Sequence, residues 1–177
     1  MIHHIEVFMI LMNIHIQNFI EVVEAILETM EKPKFLLKKT YLQMIENSVG
    51  TKMFRSVFVM DGQEKDVTEN GDLSCAVFVS SLLKFFDLIS LPHATIESTI
   101  KDMIENGWKE VEKSQKGDVL LWEKMKIGGS INEHIGFYIG NEKAISNSLK
   151  KRTPIVHHYT YNQKRKIIKI YAQEKIK

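Results

Sequence analysis

The hydrophobic period of this chain changes once, at Asn106-Gly107, and that change limits the possible folds more than any other feature. Before it, one hairpin apart, apolar residues recur at helical spacing. "NFIEVVEAILETMEK" (residues 18–32) puts Phe19, Val22, Val23, Ile26, Leu27 and Met30 on one face, and Pro33 stops or kinks it. "KFLLKKTYLQMIENS" (residues 34–48) predicts a second helix, and residues 95–106 predict another that Asn106-Gly107 ends. After Gly107 come short alternating runs: "GDVLLWEKM", "EHIGFYIG", "KAISNS", "TPIVHHYTY" and "KRKIIKIYA". Gly117-Asp118, Gly128-Gly129 and Asn141-Glu142 supply turns between them. Helices followed by antiparallel strands predict an α+β domain.

A chain of 177 residues suits a single domain, here 1–177, with its own hydrophobic core. The opening "MIHHIEVFMILMNIHIQNF" is apolar, but Glu6, Asn13, His15 and Gln17 interrupt it, so no transmembrane segment is expected. It carries neither a basic leader nor a small-residue cleavage site, so a cytoplasmic location is the default expectation, with export by another route left open. The net charge of +2 hides an asymmetry, because residues 143–177 hold ten Lys or Arg and one acid, Glu174. Such a tail suits an anionic polymer or simply a solvated strand edge. Tyr159, Tyr161 and Tyr171 interleave with Lys164, Arg165, Lys166 and Lys169 there. No motif joins that pattern to nucleic acid, so a nucleic-acid partner is disfavoured.

"GDLSCAVFVSSLLKFF" (residues 71–86) contains the single cysteine, Cys75, where a loop becomes a helix. Cys75, Val79, Leu82 and Phe86 follow helical spacing, with Asp72 or Ser74 as candidate cap. One cysteine makes no internal disulfide and no cysteine zinc site. A helix N-terminus stabilises a thiolate, and its free N–H groups stabilise an oxyanion. A nucleophilic thiol also needs a base. Of the seven histidines, His157 and His158 are adjacent and point to opposite faces of a strand. His134 instead opens "HIGFYIG", beside the small Gly136, which leaves room for another backbone or a substrate. Taken singly, a core cysteine and a structural histidine are the commoner explanations, and neither residue alone argues for catalysis.

The order of these pieces resembles the NlpC-type papain-like cysteine peptidases of bacterial cell-wall metabolism, which are related to the CHAP amidases. "SCAVFV", "GDVLLW" and "HIGFYIGNEKAIS" stand where that family shows D-C-S-G-F-V, G-D-L-V-F-F and H-V-G-I-Y-I-G-N-G. The resemblance spans residues 48–148, with 1–47 as an N-terminal helical extension and 149–177 as basic C-terminal strands. It implies a papain-like fold, in which N-terminal helices and a catalytic helix pack on a small antiparallel sheet. It also implies Cys75 as nucleophile, His134 as general base, a peptide or peptidoglycan fragment as substrate, and no cofactor.

A third polar group should hold the imidazole. If Asn141-Glu142 alone forms the turn, residue 147 faces 136 and Asn147 shares the face of His134; a one-residue shift brings Ser146 there. Motif spacing favours Ser146, whereas acceptor chemistry favours Asn147, which is the expectation adopted here. Ser74 replaces the family's aspartate, Ala76-Val77 replace Ser-Gly, and Met53 or Phe54 stands at the upstream tyrosine. These departures keep a second reading in play, a catalytically silent binding module on the same fold. A related thiol amidase or acyltransferase would use the same thiol and imidazole. The sequence leaves the scissile bond and oligomeric state open.

Overall fold

In residues 36–177 the α-helices precede Gly107 and the six strands of the main antiparallel sheet follow it. The computed structural model describes residues 16–25, 33–127 and 130–177. Contacts divide the chain into two units, Met1–Phe35 and Leu36–Lys177. In the first, residues 16–25 are helical with Ile16, Phe19, Ile20 and Val22 exposed, while the remainder of the helix expected over 18–32 lies outside the described residues. The Gly128-Gly129 turn also lies outside them.

The second unit contains α1 (Leu37–Asn47), α2 (Cys75–Phe85) and α3 (Ile96–Glu105). A small hairpin, β1 (Phe58–Asp61) and β2 (Gln63–Asp66), precedes α2. Six further strands follow: β3 (Lys109–Glu110), β4 (Val119–Ile127), β5 (Ser130–Gly140), β6 (Lys143–Ser148), β7 (Thr153–His158) and β8 (Ile167–Ala172). They form one antiparallel sheet in the order β3-β8-β4-β5-β6-β7. The fold is α+β, as the period change predicts. The strands beyond residue 148 belong to this same sheet, and α1 buries Tyr41 and Ile45 in its core.

Because side chains alternate along a strand, the sheet sorts its residues onto two faces. Val119, Leu121, Ile135, Phe137 and Ile145 pack beneath α2, against Phe78, Val79 and Leu83. Leu120, Trp122 and Ala144 form a second cluster on the other face, with Tyr138, Tyr159 and Tyr161 against it. Trp122 is fully buried and donates its indole N–H to the Tyr159 carbonyl at 2.6 Å. His134 pairs with Trp122 across β4–β5 and so shares this second face. Strand β5 starts four residues ahead of His134, which therefore lies within the strand rather than at its start.

Tyr41 explains the Gly117-Asp118 motif. Its hydroxyl donates to the Gly117 carbonyl at 2.8 Å, and a Cβ at Gly117 would meet the Tyr41 ring at 2.9 Å. Only glycine sits comfortably at φ +99° with a tyrosine pressed on it. Thr95 caps α3, accepting from the Ser98 N–H at 3.2 Å. On α3, Asp102 is buried and accepts from the Ser90 and Leu91 N–H groups, the Asn106 amide and His93, at 2.7 to 3.1 Å. It holds the turn after α2 against α3. Burial pushes its carboxyl up, but the bonds from His93, Ser90 and Leu91 outweigh that and bring it down to about 2.

Candidate active site

A tightly wound segment, residues 66–74, aims the start of α2. Asp66 accepts from the backbone N–H groups of Val57, Thr68 and Asn70, tying the hairpin to this segment. Glu69 and Asn70 take left-handed conformations and Gly71 follows at φ +98°. A Cβ at Gly71 would lie 2.8 Å from Arg152 Cβ, so the segment turns tightly against the β6–β7 loop. Asp72 pairs with Arg152 at 2.9 Å. The first helical bond of α2 runs from the Phe78 N–H to the Ser74 carbonyl. The N–H groups of Cys75, Ala76 and Val77 therefore have no intrahelical acceptor.

Neither expected cap operates. Ser74 occupies the cap position without a side-chain bond, and its hydroxyl is buried with no partner among the described residues. Asp72 is occupied by Arg152 instead.

Cys75, His134 and Ser146 line one cavity of about 1000 Å³, together with Asn147, Tyr161 and Arg165. The backbone N–H of Ile135, next to His134, approaches the Cys75 sulfur, as does that of Ala76. No hydrogen bond joins the thiol to the imidazole among the described residues. The helix start was expected to lower the thiol pKa, but the net effect is the reverse. Burial raises it, and the Ile135 and Ala76 N–H groups and the Arg165 charge only partly compensate. His134 moves the other way, held at about 3 by burial, by the positive charge of Arg165 and by the proximity of His157. At neutral pH the site therefore holds a thiol and an uncharged imidazole.

Register decides which of Ser146 and Asn147 lies beside His134. Asn141 and Glu142, both at positive φ, make the β5–β6 turn, as the sequence suggests. An irregularity between Tyr138 and Gly140 then shifts the pairing by one, so Gly136 faces Ser146. Gly136 is small to admit backbone, because a Cβ there would lie 2.6 Å from both the Ile145 carbonyl oxygen and Ser146 Cβ. Ser146 Oγ sits 2.8 Å from His134 Nε2. Asn147 points to the opposite side and donates to the Gly71 carbonyl at 2.7 Å. It braces the segment before Cys75 and does not touch the imidazole.

Three residues near the site were not singled out for it from the sequence. His157 Nε2 lies 2.8 Å and Tyr161 hydroxyl 3.0 Å from Ser146 Oγ. Arg165 donates to the Glu123 and Asn132 carbonyls, plugging the β4–β5 bulge, and stands close enough to Cys75 to favour its thiolate. Of the C-terminal tyrosines, Tyr171 is buried and Tyr161 is turned to Ser146. The adjacency of His157 and His158 made them poor chelators, yet it leaves His157 free to face Ser146. Only the β6–β7 pairing of Ala144 with His157 reveals this.

The stretch that carries this arrangement matches a known family. The NlpC/P60 family model covers residues 39–171. The chain belongs to the NlpC/P60 family. The match extends past residue 148 on the sequence, as the sheet does in space. Members of the NlpC/P60 family are typically cysteine peptidases or amidases acting on peptidoglycan. A comparison with curated proteins found no match. Among the described residues no helix is long and apolar enough to cross a membrane.

Proposed function

We propose that this protein is a thiol hydrolase cleaving a peptide or amide bond in peptidoglycan stem peptides. The observation that carries this reading is the convergence of Cys75, at the open N–H end of α2, with a Ser146-bound His134 in one cavity. Ser146 occupies Nε2 of the imidazole, which leaves Nδ1 as the base. As Cys75 Sγ attacks the scissile carbonyl carbon, Nδ1 takes the thiol proton and the carbonyl π electrons move onto oxygen. The Cys75 and Ala76 N–H groups stabilise that oxyanion. Collapse expels the amine, which takes the proton from Nδ1, and leaves a thioester on Cys75. Water then attacks the thioester carbonyl as Nδ1 takes its proton; collapse breaks the C–S bond, releases the acid, and the Cys75 thiolate takes the proton back from Nδ1.

With a raised thiol pKa, alkylation of Cys75 by iodoacetamide climbs with pH beyond the range of an ordinary thiol, about 8.5, without a plateau near pH 6. The deciding experiment incubates wild type, Cys75→Ala and His134→Ala with purified muropeptides and measures amine release. Release by wild type that falls by at least about 10²-fold in both variants supports the reading. Absence of release across peptide and amide substrates overturns it.

The uncharged thiol, unbonded to the imidazole, favours a second reading, a module that binds peptidoglycan fragments without turnover. Binding of muropeptides, with wild type and Cys75→Ala equal and neither releasing amine, selects it. An acyltransferase on the same thioester is recognised by transfer to an added amine in place of water.

A further inference from the structure

We infer that His157 is a positioning residue that, acting through Ser146, decides which nitrogen of His134 carries the proton. The inference deepens the hydrolase reading and rests on it for its catalytic meaning. It begins at a backbone carbonyl. His157 Nδ1 lies 2.8 Å from the His158 carbonyl oxygen, which can only accept, so Nδ1 bears a hydrogen. In the neutral ring Nε2 is then a bare acceptor. Burial, the largest influence on it, holds His157 toward that neutral form.

Ser146 Oγ is 2.8 Å from that bare nitrogen and has one proton to give. A lone pair facing a lone pair at this distance is repulsive, so the proton goes to His157. The two lone pairs of Ser146 must then accept, one from His134 Nε2–H at 2.8 Å and one from the Tyr161 hydroxyl at 3.0 Å. Ser146 is fully buried, so water offers no alternative. All three bonds of the hydroxyl are used, and the consequence falls on His134: Nε2 is protonated and Nδ1 carries the free lone pair. That is the tautomer a base needs in order to take a thiol proton.

Packing fixes the relay as well as hydrogen bonding does. The His157 ring stacks on Tyr161 with centroids 4.0 Å apart and planes 20° apart, and Trp122 lies 5.6 Å from both His134 and His157. The indole bond to Tyr159 anchors the segment that carries Tyr161. The charged or titratable groups facing the relay are Arg165, His158, Tyr161 and Cys75. None of them supplies Ser146 with another acceptor as close as His157. Ser146 alone holds the imidazole only loosely, because a hydroxyl can turn its proton either way; His157 removes that choice.

The test reads the tautomer directly, by ¹⁵N chemical shifts of the His134 ring in the full chain at pH 7.5. Wild type is expected to show Nε2–H. His157→Phe keeps the ring stack but removes the acceptor, so Ser146 can turn its proton to His134 and an Nδ1–H population emerges. His157→Gln offers a carbonyl oxygen in its place and is expected to restore Nε2–H. Muropeptide hydrolysis in His157→Phe is expected to lose at least about tenfold in kcat with little change in KM, part of the factor a general base supplies. A wild-type Nδ1–H tautomer, or an Nε2–H signal unaltered in a folded His157→Phe, overturns the inference. A tautomer that follows His157 while hydrolysis ignores His134→Ala upholds the relay and removes the hydrolase reading instead.

Discussion

At the scale of single residues, Ser74 is where this chain departs most clearly from expectation. A serine just before a helix normally accepts from the first turn, and replacing it by alanine costs about 1 kcal/mol. Here its hydroxyl is buried and bonded to nothing among the described residues. A buried unsatisfied hydroxyl is a net cost, so the ordinary rule should invert. Ser74→Ala is expected to leave stability unchanged or raise it by up to about 1 kcal/mol in urea denaturation. A loss of about 1 kcal/mol or more would show that Ser74 caps α2 after all. Cys75 itself was readable from its place at a helix start. Its protonation was not, since that depends on burial and on Arg165, which arrives from ninety residues further along the chain.

At the scale of elements, one irregular residue decides the site. The β5–β6 turn was legible because Asn141-Glu142 is a turn dipeptide, and the strand "KAISNS" was read with its observed limits. The offset between Tyr138 and Gly140 was not legible, because nothing in "FYIG" distinguishes a regular strand from a bulged one. Since side chains alternate, that offset exchanges Ser146 and Asn147 between the faces of the sheet. His157 lay deeper still, requiring a second register, β6 on β7, to be known as well. The two neighbours should therefore respond differently to truncation. Asn147→Ala loses one buried bond to Gly71 and is expected to cost about 1–2 kcal/mol, leaving the His134 ¹⁵N signals in place. Ser146→Ala strips a partner from His134, His157 and Tyr161 together, so it is expected to shift those signals and cut muropeptide hydrolysis. Unfolding curves and ring ¹⁵N spectra of the two variants check both outcomes; identical spectra in Ser146→Ala would contradict the contact.

At the scale of the molecule, the same half-buried histidines and the buried Asp102 set the response to acid. His134 is held at about 3 in the folded chain, against an ordinary value near 6.5 when unfolded. Between those values the unfolded chain binds a proton that the folded chain refuses, so stability falls as pH drops through that window. His157, also lowered by burial, acts in the same direction. Asp102 follows further down: its folded value of about 2 lies below the unfolded range near 3.9, so its contribution is complete above pH 4 and is lost toward pH 2. Asp118, raised by burial, takes up its proton more readily when folded and opposes the trend. Two phases should therefore divide the acid side of a stability profile. Denaturation midpoints measured from pH 7 to 2 are expected to decline first between about 6.5 and 3, then again below about 4. Replacing His134 by phenylalanine removes the group responsible for most of the first decline, so its profile is expected to be flatter there and to keep the second. Asp102→Asn is expected to lower stability at pH 7 and to lessen the loss below pH 4, of which Asp66 keeps a part, since the bonds from Thr68, Asn70 and Val57 outweigh burial and hold its carboxyl well below the usual range. A wild-type profile flat from pH 7 to 4 would mean that His134 keeps its ordinary proton affinity in the folded chain. The imidazole would then be charged near neutrality, and the thiol beside it would meet a cation in place of a base.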